Sequence, residues 1–191
     1  MIDDNRIADF IDIFDSRRVP LSGKQRAERQ GPYPYHGAAG VMDSVDDFLF
    51  EGLHVLLGED GSVVKADGRP YTQYVWDKFW VNNHAHVLRG RGITSETLLI
   101  FLDQCDVAPF VTGAVQPKLS QANLKAIPFI DAGNALLQRL GEIVDPLFAQ
   151  IRDATEESRT LAQLRDTLLP KLISGELRIA DAERFIEERA L

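Results

Sequence analysis

A long amphipathic stripe in the last third of the chain constrains its fold more than any other feature. From Leu136 to Leu172, apolar residues recur three and four positions apart, which is the spacing of one face of a helix. From Leu140 onward, steps of four and three alternate as in a coiled coil. A helix of about 37 residues would be roughly 55 Å long, longer than a domain of about 130 residues is wide. We therefore expect it to project and to form an antiparallel coiled coil with a partner helix.

The apolar positions of this stripe are the candidate packing residues of the helix pair. They are Leu140, Val144, Leu147, Ile151, Ala154, Leu161, Leu164 and Leu168. Leu164 follows Leu161 after another step of three, so the seam shifts there. The alternative is a helix that packs on the core of its own domain. Pro146 either opens a new helix or kinks a continuous one, and Pro170 with Gly175 predicts where the helix ends.

The first 130 residues predict mixed structure. Glycine and proline interrupt short apolar runs at residues 48–50, 54–57 and 85–88, which indicates strands. Two short helices are expected, one capped at Ser95 and one after Ser120. The predicted fold class is α+β, with a globular domain at 1–130, a long helical region at 131–173 and a tail at 174–191. In the tail, a short strand is expected at 176–179 and a helix at 181–189.

The bulk composition predicts a soluble cytoplasmic protein. Hydrophobic residues make up 45% and charged residues 26% of the chain, which is normal for a globular protein. No apolar run approaches the ~18 residues of a membrane helix, and the acidic N-terminus lacks the apolar core of a signal peptide. Cys105 is the single cysteine, so an internal disulfide is impossible and a reducing compartment is expected.

Basic side chains are concentrated in one stretch of the N-terminal part. The net charge of −8 argues against DNA binding by the chain as a whole, because DNA-binding modules are usually basic. Residues 17–35, however, contain five basic residues and one acidic residue. The candidate DNA contacts there are Arg17, Arg18, Lys24, Arg26 and Arg29. Lys65 and Arg69 form a second group, and Arg89 with Arg91 a third option. For each group, the alternative is an ordinary exposed loop.

The sequence contains no convincing catalytic or cofactor motif. Ser22-Gly-Lys24 lacks the rest of a nucleotide-binding loop. His84 and His86 alternate along a predicted strand, but no cysteine or carboxylate pair has the matching spacing, and structural zinc requires four ligands. We therefore predict a hydrogen-bonding or structural role for the histidines, no metal, no cofactor and no enzymatic activity.

Several segments together resemble the DNA-specificity subunits of type I restriction–modification enzymes. Residues 164–178 (LRDTLLPKLISGELR) are the strongest piece and resemble the helical conserved region of that family. Residues 112–120 (TGAVQPKLS) and 124–128 (LKAIP) resemble the segment that closes a target-recognition domain. Residues 33–40 (YPYHGAAG), 45–52 (VDDFLFEG), 56–61 (LLGEDG) and 82–88 (NNHAHVL) resemble its earlier parts. Their order and spacing make the resemblance specific.

The resemblance implies a scaffold that reads DNA and performs no chemistry. Such subunits usually carry two target-recognition domains and two helical regions, whereas this chain has one of each, as expected of a half-subunit. The implied partners are double-stranded DNA, methyltransferase subunits, and a second copy or the other half. The resemblance adds Gln116, Lys118 and Ser120 to the candidate DNA contacts. Two alternatives remain: a coiled-coil scaffold whose head binds protein, and an uncharacterised nuclease or hydrolase.

Overall fold

The computed structural model describes residues 5–129 and 133–177. The chain divides into two compact units, Met1–Asp145 and Pro146–Leu191. The first unit contains all the strands among the described residues: β1 (Ile11–Ile13), β2 (Tyr33–His36), β3 (Val41–Val45), β4 (Phe50–Glu51), β5 (His54–Gly58), β6 (Thr72–Val75), β7 (Lys78–Val81) and β8 (Ala85–Gly90). The described helices are α1 (Gly23–Glu28), α2 (Ser95–Gln104), α3 (Gln121–Ala126) and α4 (Asn134–Ile173). This composition confirms the predicted α+β class.

The strands form two four-stranded sheets. The first has the order β1-β8-β5-β6 and is antiparallel throughout. The second has the order β3-β2-β7-β4, in which β2 and β7 run parallel. Residues of both sheets share one core, formed by Phe50, Leu56, Val75, Phe79, Val81, Ala85 and Val87. Because both sheets contribute to this core, the shared core positions the loops that connect their strands.

Short-range signals place the small helices correctly, with one shift. Ser120 caps α3, because its side chain accepts a hydrogen bond from the backbone N–H of Asn123. The cap of α2 is Thr94 and not Ser95, since Thr94 accepts from the N–H of Thr97. The predicted strand at 48–50 is also displaced, because β4 comprises only Phe50–Glu51.

Helix α4 is one continuous helix of 40 residues that contains both prolines. Pro146 therefore does not divide it, and the prediction that Pro170 helps to end it is wrong, since the helix continues to Ile173. The end comes at Gly175, which has a φ of +74°, a conformation that glycine adopts without strain. There the N–H of Leu177 donates to the carbonyl of Lys171 over 3.0 Å.

The apolar stripe of α4 differs between the two units. In the first unit, Leu137 and Val144 are buried, and a Cβ on Gly141 would lie 3.3 Å from Cγ2 of Thr94. In the second unit, Leu147 is 54% and Ile151 is 51% exposed. Of the other candidate packing residues, Leu140, Ala154 and Leu161 are exposed, Leu164 is half-buried and Leu168 is buried.

Two further sequence predictions concern the ends of the chain and the membrane. The predicted helix at 181–189 and half of the predicted strand at 176–179 lie outside the described residues. Among the described helices, none combines the length and the apolar character needed to cross a bilayer.

Candidate nucleic-acid interface

The cations of the basic stretch at residues 17–29 have different environments, and two of them contact the second sheet. Arg26 pairs with Asp43 over 3.0 Å and lies over the ring of Tyr35. Arg29 pairs with Asp46 over 2.9 Å, and its guanidinium lies over Trp80.

Two further cations of the stretch lie at the surface. Lys24 is 87% exposed, and its Nζ is 4.0 Å from the carboxylate of Glu28. Arg17 is exposed and donates from Nη2 to the carbonyl of Leu49 over 2.7 Å. Both side chains therefore retain hydrogen-bonding capacity toward solvent or a ligand.

Arg18 belongs to a buried ionic network. Its side chain is only 12% exposed, and Nη1 donates to Glu59 over 2.6 Å and to the carbonyl of Ala85 over 2.7 Å. Its Nη2 is 3.5 Å from Asp15. The guanidinium therefore holds chain segments together in this structure, and a DNA contact by Arg18 stays a prediction.

His86 lies at the centre of the same network. Its Nδ1 is 2.6 Å from Oδ2 of Asp15, and its Nε2 is 2.8 Å from the carbonyl oxygen of Leu119. Gln121 donates to the same Asp15 oxygen, and the N–H of Val87 donates to the other. Burial alone would raise the pKa of Asp15, but the hydrogen bond and charge of His86, the Val87 N–H and Arg18 together hold that pKa below its ordinary value.

The network also contains three side chains of the types that can ligate a metal ion. Asp15, Glu59 and His86 offer ligand atoms that all lie within 4.8 Å of one another. Sequence spacing could not reveal this group, because its members lie far apart along the chain. Each side chain is already bonded to Arg18, to another member or to backbone groups. The arrangement therefore acts chemically as a compensated ionic cluster, in agreement with the predicted hydrogen-bonding role of His86.

The second predicted group is spread over the loop between β5 and β6. Nζ of Lys65 is 5.7 Å from the centroid of the Tyr71 ring. Arg69 pairs with Asp67 over 2.6 Å, and both side chains are about half exposed. This ion pair raises the pKa of Arg69 and lowers that of Asp67, first through their hydrogen bond.

The segment 112–120 lies against the end of β5. Leu119 donates its backbone N–H to the carbonyl of Glu59, and Nζ of Lys118 is 3.4 Å from the Glu59 carboxylate. Gln116 donates from Nε2 to Asp60 over 2.7 Å. Ser120 is occupied as the cap of α3. The structure thus brings Gln116 and Lys118 together, while it gives Ser120 a structural role.

A groove of about 530 Å³ opens beside Gln116. Four loops line it, through residues 38–42, residues 60–62, Asn82 with His84, and Gln116. Two of its lining residues, Val41 and Met42, are exposed apolar side chains. Val115 directly precedes the lining residue Gln116 in sequence and is 99% exposed. The residues predicted from the sequence do not include Val41, Met42 and Val115. The available signal was the glycines at 37, 40, 61 and 113, since glycine-rich turns predict exposed loop tips.

A double sheet that carries exposed loops around an open groove has the architecture of a binding module. Comparison with known proteins identifies its class. Residues 3–130 match the family model described as the type I restriction modification DNA specificity domain. The chain belongs to this family. This match confirms the family resemblance that the sequence predicted.

Individual relatives agree with this assignment. A putative type I restriction enzyme specificity subunit of Haemophilus influenzae is 33% identical over 139 residues, covering 72% of this chain and 35% of that protein. The MjaIX specificity subunit of Methanocaldococcus jannaschii is 30% identical over 109 residues, covering 54% of this chain and 25% of that protein. The chain therefore spans about a quarter to a third of the length of these relatives.

A solved structure shows the same fold over nearly the whole chain. The crystal structure of the type I restriction–modification S subunit from M. genitalium superimposes with a TM-score of 0.63 at 16% identity. The match covers 96% of this chain and 47% of that chain. At this identity, the likeness concerns the fold alone.

Proposed function

We propose that the chain recognises a specific sequence in double-stranded DNA as half of a type I specificity subunit. The observation that carries this proposal is the family match over residues 3–130, which contain both the basic stretch and the groove loops. The recognition domain would read one half of a split target and would direct methyltransferase subunits to it. We expect this to take place in the cytoplasm.

The groove loops are the part of the domain best suited to read bases. Gln116 can form two hydrogen bonds with adenine, and exposed apolar groups such as Val115 and Met42 can contact the methyl group of thymine. Lys118 beside Gln116 supplies a charge for a phosphate. Cations alone would give affinity without sequence preference, so polar and apolar groups on the same loops favour a reading surface.

The exposed half of α4 supports pairing with a second helix. Leu147, Ile151 and Leu161 recur on one face at coiled-coil spacing and are more than half exposed. Burying such side chains in a partner is favourable by ~25 cal/mol per Å² of apolar surface. A second copy of the chain would place two recognition domains in one symmetric assembly, and the other half of a longer subunit would do the same.

The test is selection of bound duplexes from a randomised DNA pool by the full chain, followed by affinity measurements at several salt concentrations. Enrichment of one sequence that binds at least tenfold more tightly than random duplex supports the proposal. Duplex binding without enrichment at any salt concentration would contradict sequence recognition. If the chain binds a protein but no duplex, the alternative of a scaffold whose head binds protein is favoured.

A further inference from the structure

Most arginines of the first unit are compensated by a carboxylate. Arg18, Arg26, Arg29, Arg69 and Arg91 each lie within 4.0 Å of an Asp or Glu oxygen. Arg17, Arg89 and Arg139 differ, because no carboxylate oxygen of the residues that the structure describes lies within 4.0 Å of their guanidiniums. Of these three, Arg17 and Arg89 lie beside the same turn. In a chain of net charge −8, two guanidiniums without a carboxylate partner beside one turn can attract an anionic ligand.

The two guanidiniums bracket the same turn. Nη2 of Arg17 donates to the carbonyl of Leu49 over 2.7 Å, just before β4. Nε of Arg89 donates to the carbonyl of Leu53 over 3.1 Å, just after β4. A guanidinium has five N–H donors, and both side chains are exposed. Each therefore retains donors for an incoming anion.

Aromatic rings hold both guanidiniums in place. Cζ of Arg17 is 4.6 Å from the centroid of the Phe50 ring, and Cζ of Arg89 is 5.9 Å from that of Phe14. Both rings contact the His54 ring edge to face, at 5.5 and 5.7 Å. Because a guanidinium over an aromatic face is restrained, less conformational entropy is lost when it binds a ligand.

The charges of Arg17 and Arg89 both act on His54. Burial, together with the nearby charges of Arg89 and Arg17, lowers the pKa of His54 to about 4. The imidazole is therefore neutral near pH 7 and adds no third charge. The turn is also open: Gly52 has a φ of +83°, and even a Cβ there would lie 3.5 Å from Nη2 of Arg89.

We propose that Arg17 and Arg89 form a paired binding site for the phosphate backbone of duplex DNA. The inference rests on the proposed function and deepens it, because it assigns affinity for the DNA backbone to these two arginines and leaves sequence recognition to the groove loops. In the stacked position, each guanidinium stays against the protein surface. Reaching base edges in a major groove about 8.5 Å deep would require it to leave its ring and its carbonyl. Phosphates lie at the outside of the duplex and need no such movement.

The first experiment measures how affinity for a random-sequence duplex depends on salt concentration. The slope of log K against log salt is about −0.9 for each neutralised phosphate. Arg17→Gln and Arg89→Gln should each make this slope less steep by about 0.9, and the double variant by about twice that, equally for any duplex sequence. Arg165→Gln is the control, because this substitution removes the same charge at a site on α4, where Arg165 pairs with Asp166. An unchanged slope in the double variant of a wild type that binds duplex would overturn the site but leave DNA recognition standing.

A second measurement follows the arginine side chains directly. Pyrophosphate is titrated into the full chain while the Nε–H resonances of its arginines are recorded by NMR. The signals of Arg17 and Arg89 should shift together and that of Arg165 should not. If they shift although no duplex binds, the anion site stands and the proposed function fails; if they do not shift, the site is wrong. The variants Arg17→Lys and Arg89→Lys keep the charge and should therefore keep the wild-type salt slope. If they do, the change of slope in the glutamine variants comes from the lost charge and not from misfolding.

Discussion

His86 and Asp15 face each other in the interior of the first unit, with Nδ1 and Oδ2 2.6 Å apart, although 71 positions separate them in sequence. The other ring nitrogen of His86 faces the carbonyl oxygen of Leu119 over 2.8 Å. The His86 ring thereby links β8 to the turn at Asp15 and to the segment that carries Gln116 and Lys118.

Removing the charge of Asp15 should destabilise the first unit strongly. Asp15→Asn leaves His86 and Arg18 without the Asp15 carboxylate, and breaking a buried pair typically costs about 3 to 5 kcal/mol of the free energy of unfolding. Urea denaturation measures the free energy of unfolding. Asp46→Asn is the control, because Asp46 pairs with Arg29 at the surface and should cost at most ~1 kcal/mol. Equal losses in the two variants would show that the network is not a structural centre.

His54 should make stability depend on pH between about 4 and 6.5. Its pKa is about 4 in the folded chain, because burial and then the charges of Arg89 and Arg17 disfavour protonation, against 6.5 for the free side chain. The unfolded chain therefore binds more protons in this window, so stability falls as pH falls. At ~1.4 kcal/mol per pKa unit, wild type should lose about 3 kcal/mol more than His54→Gln between pH 6.5 and pH 4. A constant difference between the two proteins over this range would refute the assignment.

Val115 should affect DNA selectivity and not stability. Its side chain is 99% exposed, and surface substitutions usually change stability by less than ~0.5 kcal/mol. If Val115 contacts a base, Val115→Ser should reduce the preference for the selected sequence by about 1 kcal/mol or more, since good base contacts contribute ~1 to 3 kcal/mol. Affinity for random duplex serves as the internal control and should not change. Unchanged selectivity would remove Val115 from the reading surface.

Pairing through α4 should depend on its exposed apolar face. Light scattering over a dilution series should give twice 21.4 kDa for wild type and the monomer mass for the double variant Leu147→Ser with Ile151→Ser. The matched control is Gln150→Ser with Asp153→Ser, because these exposed polar residues lie off the apolar stripe. A wild type that is monomeric at all concentrations would show that this face does not pair with a second copy.

The long helix, the α+β class and the cap of α3 follow from short-range rules. Helical spacing reports which residues share a face, and Ser120 can cap only the residues that directly follow it. These interactions join positions a few residues apart, so the local sequence specifies them. The prolines show the limit of such rules: Pro146 and Pro170 disfavour helix locally, yet α4 continues through both.

The candidate DNA site could be predicted only in part, because the partner of each cation lies far away in sequence. Arg17 and Arg18 are neighbours of the same residue type in the same basic stretch. Arg18 is buried against Glu59, 41 positions away, and against Asp15, whereas Arg17 lies over Phe50 with donors to spare. Composition gives the number of charges but not which of them is already neutralised.

The sequence by itself determined the class of the fold, the length and periodicity of α4 and the family resemblance, because these depend on residue types at short, regular spacings. Only the tertiary structure decided which cations are free, which loops share the groove and which carboxylates surround His86. Those relationships depend on how the two sheets bring distant segments together. Electrostatic and hydrogen-bond partners within 4 Å are set by that three-dimensional packing and not by distance along the chain.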